Sequence, residues 1–369
     1  MSGDTIVVGA FGDNADTGGT AYIYERKDGK WGLATTLISP DAALAGNQYG
    51  RVVAATTDLV VVGAPAATID VLTGAGSAYL YERVADVWQQ VVAPAIPGPI
   101  VGAAANARMG CAVSARGNVL ATTACAGSVI GNGDIQLYER VDNVWQTSTT
   151  ILASNTAGVV ANDLFGTAIA VGKDVIVIGA PEDDGKGDKA GAAYLFEKDA
   201  TGIWQQTAKL VASDGLSGDL FGSAVAADGD TVMIGASYND QGGTNAGAVY
   251  IFERSGQTWP ETAKLVASDA DDVDFFGFSV AISGDQIAVG ARRNDDVGED
   301  SGAVYLYERR GGKWLEFGRM VAPDGKTNDG LGYGVAVDQS ILVGTAYPET
   351  VAGGVSGSLY VFERGLPVP

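Results

Sequence analysis

The sequence contains no histidine and only two cysteines among its 369 residues. Without histidine, the chain lacks the commonest general base of enzymes and the commonest ligand of transition metals. Serine–histidine and cysteine–histidine nucleophile systems are therefore excluded. The chain is also too long, and too poor in cysteine, to be a small disulfide-rich scaffold. Any bound metal is expected to be a hard cation on oxygen ligands.

Basic residues are scarce as well, since 23 Lys and Arg stand against 44 Asp and Glu and give a net charge of −21. Nucleic-acid binding requires clustered cations, so this class of partner is excluded. No apolar run approaches the roughly 18 residues of a membrane span, so we expect no membrane insertion. Residues 1–20 lack the basic start and apolar run of a signal peptide, so any export signal is absent or already removed.

One short motif of aromatic residues and glutamate recurs along the whole chain. It reads YIYER, YLYER, QLYER, YLFEK, YIFER, YLYER and YVFER, and its glutamates are Glu25, Glu82, Glu139, Glu197, Glu253, Glu308 and Glu363. Successive glutamates lie 55 to 58 residues apart. Self-similarity at a fixed period indicates a repeat architecture. Residues 1–369 are therefore predicted to form a single domain made of seven copies of one unit.

Each copy predicts four short strands, which we name A to D. Strand A starts at a pair such as Phe221-Gly222, B is a run such as VIVIGA, C is the YLYER motif, and D starts at a tryptophan such as Trp204. Strands B and C are apolar nearly throughout, which predicts burial on both faces. Four antiparallel strands with short joins form a propeller blade, and neighbouring blades must cover its apolar faces. We therefore expect the recurring aromatic residues to pack between blades rather than to stack on sugars.

The two ends of the chain are irregular. The chain begins at a B strand and stops after a C strand, so A and D occur six times while B and C occur seven times. This pattern predicts an all-β, seven-bladed β-propeller of four-stranded antiparallel blades with incomplete terminal blades, and six blades is the alternative. Exposed strand edges at the ends predict self-association.

The motifs at the starts of the A strands and the ends of the B strands resemble the FG-GAP repeat family. They are Phe165-Gly166, Phe221-Gly222 and Phe276-Gly277 for FG, and Gly63-Ala64-Pro65 and Gly179-Ala180-Pro181 for GAP. The resemblance implies a propeller like that of integrin α-subunits, with a binding or adhesion role at a cell surface or outside the cell. Integrin-like members often carry a calcium motif in the A–B loop. Here that loop is too short, so the chain resembles the bacterial type.

The long B–C and D–A loops lie on one face of an up-and-down propeller, and their length and polarity favour that face for ligand binding. The candidate binding residues are Asp183, Asp184, Asp188, Asn239, Asp240, Arg292 and Arg293. The arginine pair is able to receive a carboxylate, and local charge balance also explains it.

A dense group of acids in two adjacent loops is the candidate calcium site. Its members are Asp269, Asp271, Asp272, Asp274, Asp295, Asp296 and Asp300. The competing interpretation is that the aspartates just before FG, namely Asp163, Asp219 and Asp274, stabilise turns by accepting backbone N–H bonds. No cofactor is required, and calcium is the one that the loops allow.

The two cysteines are expected to be unpaired. Cys111 lies on a predicted A strand and Cys125 just past the following B strand. With a turn at Arg116-Gly117, Cys111 faces Thr122, which places the two thiols beyond disulfide reach.

Three functions are consistent with the sequence. The first is a non-enzymatic binding or adhesion scaffold for a protein or a glycan, located outside the cell or on its surface. The second is a propeller-based polysaccharide lyase or hydrolase, for which Tyr238, Arg292, Arg293 and Tyr347 are the suggestive residues. The third is a structural repeat module of a longer extracellular protein.

Overall fold

The structure, a computed structural model, describes residues 1–12, 18–40, 46–91, 100–129, 132–153, 156–160, 162–339, 341–351 and 354–363. Within these residues the chain forms 27 β-strands and no α-helix. The strands form seven antiparallel sheets, each in chain order. The chain is thus an all-β protein with the seven blades of a β-propeller, as the repeat predicts.

The backbone divides into two compact units, residues 1–176 with 197–206 and residues 177–196 with 207–369. The division passes through the fourth sheet, and a single domain over residues 1–369 stays a prediction. The first three sheets belong to the first unit. Their strands are β1 (Thr5–Ala10), β2 (Thr20–Lys27) and β3 (Lys30–Ile38); β4 (Val52–Ala55), β5 (Leu59–Ala64), β6 (Ser77–Val84), β7 (Val87–Gln90) and β8 (Ile100–Val101); and β9 (Met109–Arg116), β10 (Val119–Val129), β11 (Asn132–Val141) and β12 (Val144–Ile151).

The last three sheets belong to the second unit. The fourth sheet consists of β13 (Ile169–Val171), β14 (Val175–Ala180), β15 (Ala192–Lys198) and β16 (Trp204–Leu210). The following strands are β17 (Ala224–Asp228), β18 (Thr231–Ala236), β19 (Ala248–Glu253) and β20 (Glu261–Leu265); β21 (Phe276–Ser283), β22 (Gln286–Ala291), β23 (Ala303–Arg310) and β24 (Lys313–Met320); and β25 (Gly334–Asp338), β26 (Ile341–Val351) and β27 (Gly354–Glu363).

The terminal sheets have three strands each, in the orders β1-β2-β3 and β25-β26-β27. Among the residues that the structure describes, the first sheet has no strand A and the last has no strand D, which confirms the predicted incomplete terminal blades. The second sheet instead gains β8, which pairs with β6 beside β7. Seven separate sheets also decide against the six-bladed alternative.

The B strands are buried on both faces, as their composition predicts. Every residue of β14 and β18 is buried. The A–B joins are tight, because Ser283 pairs with Gln286 across a two-residue turn.

The aromatic residue of each FG pair joins neighbouring blades. Phe276 donates its backbone N–H to Ala246 in the preceding blade, at 2.8 Å. Its ring packs edge-on against Tyr305 of its own blade, with centroids 5.3 Å apart. Phe276 and Tyr305 are both fully buried. The prediction that the recurring aromatic residues form core between blades is confirmed.

The two glycines of the FG-GAP motif meet between blades. A Cβ on Gly235, the GAP glycine of the fifth sheet, would overlap the carbonyl oxygen of Gly277, the FG glycine of the sixth. The same relation joins three other pairs, namely Gly9 with Gly50, Gly63 with Gly110, and Gly290 with Gly332. Glycine is therefore required at the GAP position of these four blades, because neighbouring backbones touch there.

The glutamate of the YLYER motif also joins blades in the first unit. Trp88 donates its Nε1–H to Glu25 at 3.0 Å, and Trp145 donates to Glu82 at 2.8 Å. Each bond runs from a D strand to the C strand of the preceding blade. The recurrence of glutamate and tryptophan at one period is thus explained by a structural bond.

Candidate functional site

The B–C and D–A loops of the second unit are bonded to one another. Gly218 donates its backbone N–H to the carbonyl of Asp188 at 2.9 Å, and Asn328 donates to that of Glu299 at 2.8 Å. Each B–C loop therefore lies beside the D–A loop that leads to the next blade. We call the resulting surface the loop face. It comprises residues 182–191, 212–222, 237–247, 267–277, 292–302 and 322–332.

The aspartate before each FG pair holds the D–A loop from inside. Four aspartates at this position are buried, and each accepts the backbone N–H of the residue three positions earlier. They are Asp163, Asp219, Asp274 and Asp329, with N···O distances of 2.7, 3.0, 3.1 and 2.6 Å. The turn-stabilising interpretation of these residues is confirmed.

Burial raises the pKa of Asp274 to about 6. The backbone N–H of Asp271 and the Asn294 amide oppose this rise, whereas the carboxylates of Asp271 and Asp295 add to it. Because the folded-state pKa lies above the unfolded value, the group contributes stability below about pH 4 that is lost as pH rises through about 6.

Replacing Asp274 by asparagine is therefore expected to stabilise the chain in a pH-dependent way. The amide keeps an acceptor for the Asp271 N–H but removes the buried charge. The gain in unfolding free energy should grow by about 1–2 kcal/mol between pH 5 and pH 8, as measured by urea denaturation. Asn47 stands naturally at the equivalent position of the second blade. An equal effect at both pH values would contradict the assignment.

The buried members of the candidate binding set belong to the framework of the loop face. Asp183 accepts the Tyr194 hydroxyl and the Lys209 ammonium, each at 2.7 Å. Asn239 donates its amide to Asp219 at 2.8 Å. Both side chains are buried. The structure therefore does not leave Asp183 and Asn239 open to a ligand.

The exposed acids of the same set shape the B–C loops. Asp184 accepts the backbone N–H of Lys189, and Asp240 accepts that of Asn245, both at 2.8 Å. Asp188 is exposed. These three carboxylates remain on the surface of the loop face, where a partner can reach them.

The seven acids of the candidate calcium site bind amides and cations. Asp269 accepts the Tyr305 hydroxyl at 2.6 Å and pairs with Arg319, which also pairs with Asp296. The other five engage nearby amides or Arg293: Asp271 accepts Asp272 N–H, Asp272 accepts Thr244 N–H, Asp274 accepts Asp271 N–H, Asp295 accepts Asp300 N–H, and Asp300 pairs with Arg293 at 3.8 Å. In the described part of the chain, no group of three or more acidic or cysteine side chains is placed to hold a metal ion. Calcium binding stays a prediction that these contacts do not favour.

The structure contains a recurring hydrogen bond between blades that the sequence analysis does not predict. The aspartate that follows each of the D strands β16, β20 and β24 accepts the hydroxyl of the C-strand tyrosine 36 residues later. The pairs are Tyr250 with Asp214, Tyr305 with Asp269, and Tyr360 with Asp324, at 2.7, 2.6 and 2.7 Å. A cation on the D strand meets the same acid, as Lys264 does with Asp214 at 2.8 Å. The sequence does carry a signal for this bond, because the KLVASD motif recurs with the blade period.

An arginine and aromatic cluster lies on the loop face of the second unit. Tyr238 packs against Phe275 with ring centroids 4.9 Å apart. The guanidinium carbons of Arg292 and Arg293 lie 5.0 and 5.5 Å from the centre of the Phe275 ring. Three of the four residues suggested for an enzyme are thus brought together. The fourth, Tyr347, contacts Tyr333 at a centroid distance of 5.5 Å.

The prediction of unpaired cysteines is wrong, because Cys111 and Cys125 form a disulfide with Cα atoms 5.9 Å apart. The reason lies in the register of β9 and β10. Val119 pairs with Arg116, so the turn lies one residue later than expected. The pairing then shifts from Thr122 with Val113 to Ala124 with Met109, so residues 110–112 of β9 bulge opposite Thr123, and the two cysteines lie within disulfide reach.

Comparisons with known proteins agree with this architecture. A family model described as the FG-GAP repeat matches residues 31–81, 145–196, 204–252, 259–307 and 314–362. Integrin alpha-6 from Gallus gallus is 28% identical over 236 residues, which cover 58% of this chain and 21% of that protein. The chain thus spans about a fifth of the length of this relative. Among the described residues, no helix is long and apolar enough to cross a membrane.

A solved structure with a similar fold comes from Bacteroides uniformis and is provisionally named a 6-phosphogluconolactonase. It matches with a TM-score of 0.58 at 10% identity, over 98% of this chain and 92% of that chain. Similarity at so low an identity shows the fold alone.

Proposed function

Because the chain belongs to the FG-GAP repeat family, we propose that it is a non-enzymatic binding or adhesion scaffold that recognises a protein or a glycan through the loop face. The observation that carries this proposal is the bracing of the loops. Buried aspartates and bonds between loops hold the B–C and D–A loops in place. Rigid support of variable surface loops is a common basis of recognition.

Exposed apolar side chains on the loop face support a binding role. Leu216 is 64% exposed, Val297 is 46% exposed and Tyr238 is 38% exposed. Their loops are held by buried bonds, so the exposed side chains are presented with little conformational freedom. Such presentation reduces the conformational entropy that is lost when a partner binds.

We place the protein outside the cell or on its surface. The Cys111–Cys125 disulfide supports this location, because disulfides persist in oxidising compartments and are rare in the cytosol. The similarity to an integrin α-subunit points the same way.

The test is a binding screen with two matched variants. The immobilised chain is probed with extracellular-matrix proteins and with a glycan array, each with and without a calcium chelator. In the loop-face variant, Leu216→Asp, Tyr238→Ala and Val297→Lys are combined. In the control, Asp285→Lys and Lys313→Glu alter the opposite A–B and C–D turns of the second unit.

We expect at least one partner whose affinity falls by at least ~10-fold in the loop-face variant and is unchanged in the control. Equal losses in both variants, or the absence of any partner, would contradict the proposal. A loss of binding with the chelator alone would restore the calcium hypothesis.

The enzyme alternative keeps one supporting observation, which is the meeting of Tyr238, Arg292 and Arg293 at Phe275. Incubation with polyuronates and neutral polysaccharides tests it, with the products followed by reducing-end and ultraviolet assays. Cleavage that is lost in Tyr238→Phe would replace the scaffold proposal with a lyase or hydrolase. The structural-module alternative predicts no partner for either face.

A further inference from the structure

Arg292 stands at the end of the sixth B strand, directly after the Gly290-Ala291 pair. Its guanidinium carbon lies 4.6 Å from the centre of the Phe278 ring and 5.0 Å from that of Phe275. Phe275 is buried, and Arg292 and Phe278 are half-buried. Tyr333 packs against Phe278 with centroids 5.3 Å apart. The cation is thus held against aromatic rings on the loop face.

Arg292 differs from the other arginines that the structure describes in the second unit in having no counter-ion. Arg254, Arg293, Arg309, Arg310 and Arg319 each pair with an aspartate or glutamate. Arg292 forms no ion pair with any carboxylate in the described part of the chain. The carboxylate of Asp300 acts on the pKa of Arg292 through its charge, but it pairs with Arg293. Its Nε is buried without a hydrogen-bond partner. In a chain of net charge −21, a half-buried arginine without a counter-ion is unexpected.

The local chemistry makes this position receptive to an anion. Burial and the neighbouring Arg293 guanidinium lower the pKa of Arg292 from its ordinary value, so an incoming negative charge is favoured there. The two terminal nitrogens of Arg292 make no hydrogen bond to a described residue. Planar guanidinium donors match the two oxygens of a carboxylate.

We propose that Arg292, held by Phe275 and Phe278, binds one carboxylate of an aspartate or glutamate side chain presented by a partner polypeptide. This inference rests on the proposed binding role of the loop face and names the group that it recognises. The carboxylate accepts two N–H bonds from the terminal nitrogens of Arg292. Tyr238 and Tyr333 flank the arginine and offer apolar contact area beside it.

The surrounding charge favours a polypeptide over an acidic polysaccharide. Exposed carboxylates occur in the same two loops, namely Asp271, Asp272, Asp295 and Glu299. A polymer with a carboxylate on each sugar would meet repulsion from these acids. A single acidic side chain in a neutral or basic segment would pair with Arg292 and leave the acids to attract the rest of the segment.

The first experiment follows the Nε–H resonance of Arg292 by ¹⁵N NMR, since the buried Nε–H is shielded from rapid exchange with water. The probes are N-acetyl-aspartate N-methylamide, its asparagine counterpart and methyl glucuronide. We expect a saturable shift with the aspartate probe and none with the asparagine probe. The response should be absent in Arg292→Gln and intact in Arg309→Gln, which removes an arginine already paired with Glu253. Thermal unfolding of each variant confirms that it is folded.

Three outcomes would overturn the inference: no saturable shift with the aspartate probe, an equal shift with the asparagine probe, or tighter binding of methyl glucuronide. The last would assign the site to glycans.

The second experiment separates this inference from the proposed function. Arg292→Gln should weaken any protein partner found in the screen by at least ~10-fold, while Arg309→Gln should not. A partner that binds wild type and Arg292→Gln equally would refute the arginine site and leave the scaffold proposal standing. If no partner binds, the scaffold proposal fails, and the aspartate titration still decides whether Arg292 recognises a carboxylate.

Discussion

Replacement of Gly247 by alanine is expected to destabilise the second unit by more than about 4 kcal/mol, or to prevent its folding. Gly247 has a φ of +90°, and a Cβ there would overlap the carbonyl oxygen of Phe276 and approach its nitrogen to 2.6 Å. Both obstacles are backbone atoms, which cannot rotate away. The backbone must separate where Gly247 and Phe276 form a bridge between blades. Strain at positive φ adds to this overlap.

Gly256→Ala is the matched control. Gly256 has a φ of +65°, but a Cβ there meets no atom within 4 Å. We therefore expect a loss of only about 1 kcal/mol from conformational strain. Urea denaturation gives both values, and resistance to proteolysis compares the variants if Gly247→Ala does not fold reversibly. Similar losses in the two variants would show that strain at positive φ, rather than contact between blades, sets the effect.

The glycine contacts show what the sequence can and cannot predict about the fold. The seven-fold period, the buried B and C strands and the incomplete ends all follow from composition and spacing. The reason for the GAP glycine does not, because it lies in the carbonyl of another blade some 40 residues away, as with Gly235 and Gly277. A repeat reveals which positions recur, and only the packed blades reveal which recurring positions touch.

The sequence predicts some residues of the candidate site correctly and others not. The aspartates before FG were expected to hold turns, and their short bonds to backbone amides confirm it. The sequence predicts that Asp183 and Asn239 face a ligand. It does not distinguish polar loop residues that point inward from those that point outward. Asp183 points inward because Tyr194 and Lys209 supply its bonds from neighbouring strands. The sequence likewise does not show that Arg292 lacks a counter-ion, because it does not tell which acid pairs with which cation.

Reduction of the Cys111–Cys125 disulfide is expected to lower the unfolding free energy by about 3 kcal/mol. The bond closes a loop with a sequence separation of 14 residues, for which loop-closure entropy predicts a loss of that size. The measurement is urea denaturation with and without reductant. The Cys111→Ser/Cys125→Ser variant should show the lower stability in both conditions, and a reductant effect in that variant would mean that the loss has another source.

The disulfide lies in a blade where the glycine contact to the next blade is missing. In the third blade Thr123 stands where most other blades have the GAP glycine. The tight contact between blades is relaxed there, because a Cβ on Gly166 would lie 3.6 Å or more from any neighbour. Cys111 directly follows the FG glycine, and Cys125 lies two residues after Thr123; the equivalent residues of the sixth blade are Phe278 and Arg292. A covalent link thus joins strands A and B in the blade whose glycine contact is missing. If reduction leaves stability unchanged, the backbone pairing of β9 with β10 is sufficient to hold these strands together.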